Sequence, residues 1–145
     1  MRRLLPVLIV LSLFLLTGCK GGDSTAEVAV TLREWEVTSE PLELRPGKVS
    51  FEVSNSGTKQ HQFIIVKSDL PPGQLPTIDV QVDESKVNIS GWVEAIVAGA
   101  TATLELELFP GKYLLICNLV GQQASGVADP HYLNGMVQPF LILDE

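Results

Sequence analysis

From residue 28 onwards, the chain consists of short stretches in which apolar and polar residues alternate. The clearest one covers residues 102–108, where Leu104, Leu106 and Leu108 alternate with two glutamates. Because successive side chains of a β-strand point to opposite faces, this pattern predicts strands with one buried and one wet face. Further strands are predicted over residues 28–33, 42–44, 49–54, 61–66, 92–97, 112–118 and 137–143. The chain is therefore predicted to be all-β.

Turn-forming residues separate the predicted strands, and they leave one long stretch ambiguous. In residues 68–90, prolines at 71, 72 and 76 favour a loop, while residues 78–87 fit either a short helix or an extra strand. Beyond residue 26, no stretch of ten or more residues has a convincing helical pattern. A length of 145 residues favours one domain.

The N-terminus has the pattern of a secretion signal. Two arginines precede an apolar stretch of 13 residues, which is short for a permanent membrane span but typical of a signal peptide. It ends at Leu16-Thr17-Gly18-Cys19, which resembles a bacterial lipobox. In proteins with that motif the chain is cut before the cysteine, whose thiol receives a lipid. The alternatives are an ordinary signal peptide with an incidental cysteine, or a short signal anchor.

This motif sets the expected organisation of the chain. We predict a lipoprotein signal peptide over residues 1–18, a lipidated tether over residues 19–26, and one folded domain over residues 27–145. The whole chain has a formal net charge of −7, and removing the signal peptide would leave 8 basic and 17 acidic residues. Such a chain is a poor binder of nucleic acid, which requires clustered lysine and arginine.

Sulfur and imidazole side chains are scarce in the predicted mature chain, and each type occurs once or twice. Beyond Cys19 there are one methionine, Met136, one cysteine, Cys117, and two histidines, His61 and His131. An unpaired thiol is a liability in an oxidising compartment unless it is buried or bound to a metal. Two imidazoles, a thiolate and a weak thioether are the ligand set of a blue-copper site. The alternative is that the four residues have unrelated structural roles.

The predicted strand that ends near Cys117 gives this residue an apolar setting. Tyr113 and Leu115 share its strand face, so the thiol is expected to point into the sandwich. An apolar surround excludes water from the sulfur and helps to set a reduction potential. Backbone amides of residues 56–62 or near Asn118 are candidate donors to the sulfur.

Three segments together resemble the cupredoxin family of plastocyanin- and azurin-like proteins, with most similarity to its sulfocyanin- and auracyanin-like bacterial branch. The segments are residues 46–57 leading to 61–63, residues 99–104 with 110–118, and residues 131–136. The resemblance extends over about residues 28–143. It implies a Greek-key β-sandwich of about 7–8 strands.

The resemblance also implies a function. In cupredoxins one histidine lies at the end of the sandwich, a cysteine ends a later strand, and a histidine and a methionine follow in the next loop. One type 1 copper ion would then bind His61, Cys117, His131 and Met136, with Met136 as the axial ligand. The implied protein is a one-electron carrier, not an enzyme. It would be a monomer that exchanges electrons with redox proteins at a membrane.

Its expected location is the cell envelope outside the cytoplasm, on the periplasmic or outer face of a bacterial membrane. There the lipid on Cys19 would anchor it to the bilayer. The acidic charge favours a redox partner that presents positive charge.

The chain departs from the family pattern in the ligand loop. Thirteen residues separate Cys117 from His131, where relatives commonly have only a few, and Gln122 stands where the shorter pattern would place histidine. Because glutamine also serves as an axial ligand, Gln122 is a rival to Met136. Gln62 is a second departure, since asparagine is frequent at that position.

Three other functions compete with electron transfer. A copper-delivery protein of the cell envelope would use an open, methionine-rich site, and this chain has one methionine beyond its signal peptide. A multicopper enzyme needs many more than two histidines. A metal-free sandwich that binds a partner protein would leave the ligand set without a purpose. Trp35 and Trp92 are predicted to be core or edge aromatics rather than functional residues.

Overall fold

The computed structural model describes residues 24–144. The predicted signal peptide, the lipobox with Cys19 and most of the tether lie outside the described residues. No helix within residues 24–144 is long and apolar enough to cross a membrane.

The described residues form 13 strands and one short 3-10 turn at Glu84–Lys86. The strands are β1 (Ala26–Arg33), β2 (Glu36–Glu40), β3 (Glu43–Leu44), β4 (Gly47–Asn55), β5 (His61–Lys67), β6 (Thr77–Ile78), β7 (Gln81–Val82), β8 (Asn88–Ile96), β9 (Thr101–Leu108), β10 (Gly111–Ile116), β11 (Val120–Gln122), β12 (Ala128–Pro130) and β13 (Val137–Ile142).

Two mixed sheets form the sandwich. One has the strand order β2-β1-β4-β9, and the other has the order β3-β13-β10-β5-β8. Most neighbours are antiparallel, but β1 pairs with β4 and β3 pairs with β13 in parallel. The all-β sandwich predicted from the sequence is confirmed.

The strand count exceeds the predicted 7–8, because the sequence predicted neither β2 nor the four strands of two or three residues in the two ribbons. The two main sheets hold nine strands, and the other four form the two-stranded ribbons β6–β7 and β11–β12. Strands of two or three residues are too short to show a period-two pattern. The ambiguous residues 68–90 thus contain β6, β7, the 3-10 turn and the start of β8, which begins at Asn88 rather than at residue 92.

The core lies between the inward faces of the two sheets. Phe51 of β4 has no exposed surface, and its ring lies 5.7 Å from that of Phe63 and 5.6 Å from that of Phe140. These partners belong to β5 and β13, so the three rings join the two sheets. The alternation predicted for β9 is confirmed, since Leu108 is buried and Leu104 and Leu106 are partly buried.

A buried asparagine shapes the loop that leads into β5. The side-chain amide of Asn55 donates 2.8 Å hydrogen bonds to the backbone carbonyls of Lys59 and Ile96. Its oxygen accepts a 2.9 Å bond from the N–H of Gly57. With these polar groups paired, the loop has a defined path, and His61 begins β5 at one end of the sandwich.

Candidate metal centre

Three buried donor atoms converge at this end of the sandwich. Nδ1 of His61 lies 3.2 Å from Nδ1 of His131, and Sγ of Cys117 lies 3.3 Å from the His131 nitrogen and 3.8 Å from the His61 nitrogen. His61 and Cys117 have no exposed surface, and His131 is 2% exposed. Donors bonded to a single ion at about 2.0–2.3 Å have separations of this order. The three side chains therefore fit one metal ion of the kind that imidazole and thiolate ligands prefer.

Two of the candidate ligands are fixed by adjacent strands. His61 is the first residue of β5, and Cys117 directly follows β10. The two strands pair antiparallel, with Leu115 opposite Ile65 and Ile116 opposite Ile64. This register brings the beginning of β5 and the end of β10 to the same place. The two side chains are therefore held by sheet hydrogen bonds rather than by a loop.

Met136 is drawn to the same end of the sandwich by its backbone. Its carbonyl accepts a 3.2 Å hydrogen bond from the N–H of Cys117, and its own N–H donates to the carbonyl of His131 at 3.1 Å. The side chain has no exposed surface. Gln122, the rival axial ligand, is an exposed residue of β11. Burial and backbone pairing thus favour Met136 over Gln122.

The sulfur of Cys117 receives the backbone hydrogen bond that the sequence predicted. The N–H of Gln62 points at Sγ from 3.2 Å. Burial raises the pKa of the Cys117 thiol, and hydrogen bonds from the backbone of Gln62 and Leu119 oppose that rise in part. The metal-free thiol is thus protonated at neutral pH, whereas a coordinating thiol is deprotonated by its metal.

The two histidines are also shifted towards their neutral, metal-binding forms. Burial lowers the pKa of His61, while the charge of the nearby Glu34 carboxylate acts in the opposite direction. Burial lowers the pKa of His131 as well, and the charge of His61 adds to that effect. Neutral imidazole is the form that binds a metal.

These shifts predict how the stability of the metal-free chain depends on pH. Below about pH 6.5 the unfolded chain binds protons that the buried histidines resist, so the free energy of unfolding should fall as the pH drops. Above about pH 9.0 the unfolded chain releases the thiol proton that the folded chain retains, so stability should fall again. Urea unfolding between pH 5 and 10 measures the loss of stability at both ends of this pH range. Stability that kept rising below pH 6 would contradict the histidine assignment.

The long segment between Cys117 and His131 is folded, although the sequence predicted a loop. Strands β11 and β12 pair within it. Asp129 of β12 is buried and contacts residues on both sides of the hairpin in the sequence. One carboxylate oxygen of Asp129 lies 2.6 Å from Nζ of Lys59, and the other accepts a 2.8 Å bond from the Asn134 amide. The inserted segment is thus held in place by its own contacts. Residues 131–136 can therefore form the turn that carries His131 and Met136.

A second buried asparagine connects the site to the ambiguous segment. The side-chain oxygen of Asn118 accepts a 2.7 Å bond from the N–H of Val82. Its amide donates to the carbonyl of Val82 at 3.1 Å and to the carboxylate of Glu84 at 2.9 Å. Residues 82–84 therefore brace the position next to Cys117. No sequence pattern indicated this role.

Trp35 contacts the site, although the sequence predicted only a core or edge aromatic. Its ring meets that of His131 edge-on, with 5.0 Å between the centroids. The ammonium of Lys59 lies 5.3 Å from the centre of the same indole. Trp92, by contrast, is 57% exposed on the edge strand β8, as an edge aromatic would be.

Glu34 also lies near the site, and the sequence did not single it out. Its Oε1 lies 3.3 Å from Nε2 of His61, the ring nitrogen that faces away from the cluster. Partial burial acts to raise the pKa of Glu34, but backbone hydrogen bonds from Lys59 and Thr58 and the charge of His61 outweigh it. The pKa therefore lies below its ordinary value. The side chain is a carboxylate at neutral pH.

No protein-family model matches the sequence, and neither does any curated protein sequence. Solved structures do share the architecture. Dithionite-reduced auracyanin from the photosynthetic bacterium Roseiflexus castenholzii is 19% identical at a TM-score of 0.53, covering 85% of this chain and 100% of that one. Auracyanin B is 18% identical at a TM-score of 0.51, covering 83% of this chain and 91% of that one. Reduced rusticyanin is 18% identical at a TM-score of 0.56, covering 81% of this chain and 79% of that one. The chain thus has the cupredoxin fold, and its buried His61, Cys117 and His131, with Met136 beside them, fit one type 1 copper site.

Proposed function

We propose that this chain is a type 1 copper protein that carries single electrons outside the cytoplasm. The observation that carries the proposal is the convergence of two imidazole nitrogens and one thiol sulfur, all buried, within 3.2–3.8 Å of each other. We propose His61, Cys117 and His131 as the equatorial ligands and Met136 as the axial one. Bound copper would supply a one-electron couple.

The protein's own contribution is rigidity and exclusion of water. His61 and Cys117 lie on paired strands, so their donor atoms have little freedom to move when the charge at the site changes. Burial of all three donors removes water whose reorganisation would oppose electron transfer. The N–H of Gln62 stabilises negative charge on the sulfur. These are properties that a carrier needs in both oxidation states.

The similar structures support the redox part of the proposal. The auracyanin of Roseiflexus castenholzii was reduced with dithionite, and the rusticyanin structure is also of a reduced form. Both of those proteins therefore accept electrons. A buried metal site on the same fold is suited to the same task in this chain.

Copper delivery and catalysis are the competing functions. A delivery protein needs a site from which the ion is readily exchanged, and an enzyme needs a coordination position that a substrate can reach. Here His61 and Cys117 have no exposed surface and His131 has 2%. A closed site of this kind favours an electron carrier over both alternatives.

The proposal is tested by loading residues 20–145 with one equivalent of copper(II). An intense blue absorption band and a narrow copper hyperfine splitting in the paramagnetic resonance spectrum are expected, because a thiolate bonded to copper produces both. Slow loss of copper to a chelator would separate a carrier from a delivery protein. A colourless protein whose Cys117 still reacts freely with thiol reagents would contradict the proposal.

Replacing Met136 with leucine tests the axial ligand. The variant is expected to stay blue but to have a higher reduction potential, because an apolar side chain in place of the thioether disfavours the more highly charged oxidised ion. Gln122→Leu is the matched control and should leave the potential unchanged, since Gln122 is exposed. The reverse result, with only Gln122→Leu shifting the potential, would make Gln122 the axial ligand. Cyclic voltammetry measures both variants.

We also propose that Cys19 carries a lipid that holds the domain at a membrane, near the redox proteins with which it exchanges electrons. The proposal rests on the apolar stretch and the Leu16-Thr17-Gly18-Cys19 motif. In a bacterial host the full chain should fractionate with membranes, and Cys19→Ser should not be lipidated. Mass spectrometry of the mature N-terminus measures the modification. An unmodified Cys19 in the membrane-bound protein would refute it.

A further inference from the structure

The two ring nitrogens of His61 face opposite environments. Nδ1 points at His131 and Cys117, while Nε2 points away from them into the fold. Nε2 is fully buried and has no well-aligned hydrogen bond within residues 24–144. Oε1 of Glu34 lies 3.3 Å from it. A buried N–H without a partner is costly, and the Glu34 carboxylate is an acceptor close enough to pair with it.

The loop between β4 and β5 is built around the Glu34 carboxylate. Oε1 accepts hydrogen bonds from the N–H of Lys59 at 2.7 Å and of Thr58 at 3.0 Å. A side chain at Gly57 would place its Cβ 2.6 Å from Oε1 and 2.8 Å from Oε2, so a larger residue there would displace the carboxylate. Glu34 lies in the turn between β1 and β2, so its carboxylate is held by two backbone N–H groups of a different loop.

We propose that Glu34 is a positioning residue that holds the His61 imidazole with its proton on Nε2, so that Nδ1 is presented to the copper and the oxidised ion is favoured over the reduced one. The inference rests on the proposed copper function. A carboxylate on the outer nitrogen of a metal-bound histidine fixes its tautomer and increases its basicity as a ligand. The same negative charge attracts copper(II) more strongly than copper(I).

Glu34→Gln isolates the charge, because its amide oxygen can still accept from Lys59 and Thr58. The copper(II) affinity of this variant is expected to fall about 10-fold, the lower end of the range for such partners, while the copper(I) affinity changes little. A 10-fold difference between the two oxidation states corresponds to a rise of about 59 mV in the midpoint potential of a one-electron couple. Competition titrations with each ion and voltammetry measure the three quantities.

Glu36→Gln is the matched control. It removes the same charge two residues away, from a side chain that is 44% exposed and paired with Arg33. Its potential and affinities should remain those of the wild type. An equal shift in both variants would overturn the inference, because it would show a general effect of net charge.

A second readout does not depend on the potential. In the copper(I)-loaded protein, the Nε2 proton of His61 should resonate far downfield and exchange slowly with water, because its bond to a carboxylate is charge-assisted. In Glu34→Gln the proton should move upfield, and in Glu36→Gln it should stay. Gly57→Ala, which displaces the carboxylate without removing it, should move the proton in the same direction even if Glu34→Gln fails to fold.

The outcomes separate this inference from the function on which it rests. A blue Glu34→Gln protein with unchanged potential and unchanged Nε2 proton would overturn the role of Glu34 and leave the copper function intact. A wild-type protein that never becomes blue would overturn both.

Discussion

Replacing Cys117 with serine is expected to abolish the intense blue absorption of the copper-loaded protein. Serine fills almost the same volume, and the N–H of Gln62 that lies 3.2 Å from Sγ remains as a donor to its oxygen. A hydroxyl, however, stays protonated at neutral pH and is a poor ligand for copper. We expect the copper(II) affinity to fall by more than about 100-fold, the upper end of what the loss of an outer partner causes. Visible spectra and competition titrations measure the change.

The control for this variant is the stability of its metal-free form, which shows whether the protein still folds. The serine hydroxyl is buried but can still accept the hydrogen bond from Gln62. The free energy of unfolding of metal-free Cys117→Ser should therefore lie within about 1–3 kcal/mol of that of the wild type. The experiment should use residues 20–145, which exclude Cys19, the other cysteine of the chain. A folded serine variant that still gives the blue band would disprove the role of Cys117.

Replacing Phe51 with alanine is expected to have the largest effect on stability. The ring has no exposed surface and contacts Phe63 and Phe140 across the sandwich. Its removal takes away buried apolar surface and leaves a cavity between the sheets, so the free energy of unfolding should fall by about 3–5 kcal/mol. That is a large fraction of the 5–15 kcal/mol that is typical of a domain. Urea titration of the metal-free protein measures it.

Phe109→Ala is the matched control for that substitution. Phe109 is 61% exposed, and its contact with Tyr113 is made by its backbone carbonyl, which the substitution retains. We therefore expect a change within about 0.5 kcal/mol. Equal losses in the two variants would mean that the aromatic cluster does not join the sheets as described.

The parts of the fold that the sequence predicts are those with a local signal. Residues 102–108 alternate strictly, and the structure has β9 there with its leucines turned inward. Cys117 could be placed in an apolar setting because its strand partners lie two and four residues before it. The β11–β12 hairpin was missed, since its strands have only three residues each.

The surroundings of the candidate ligands could not be predicted for a different reason. Glu34 reaches Thr58 across 24 residues of sequence, and Lys59 reaches Asp129 across 70. Such contacts depend on how the sheets stack and on the exact path of two loops. Composition and periodicity carry no information on either. Trp35 falls in the same class, because its contact with His131 requires the finished sandwich.

The separation of the candidate ligands along the chain would tie metal occupancy to the lifetime of the protein. His61 is 56 residues from Cys117 and 70 from His131, so the donors meet only after the strands have paired. An ion that binds only the folded chain stabilises it, by about 4.1 kcal/mol when its free concentration is 1,000 times its dissociation constant. A chain without copper would open more often and be more exposed to proteases. Copper supply would therefore govern how much of the protein persists, as well as how much of it holds the ion.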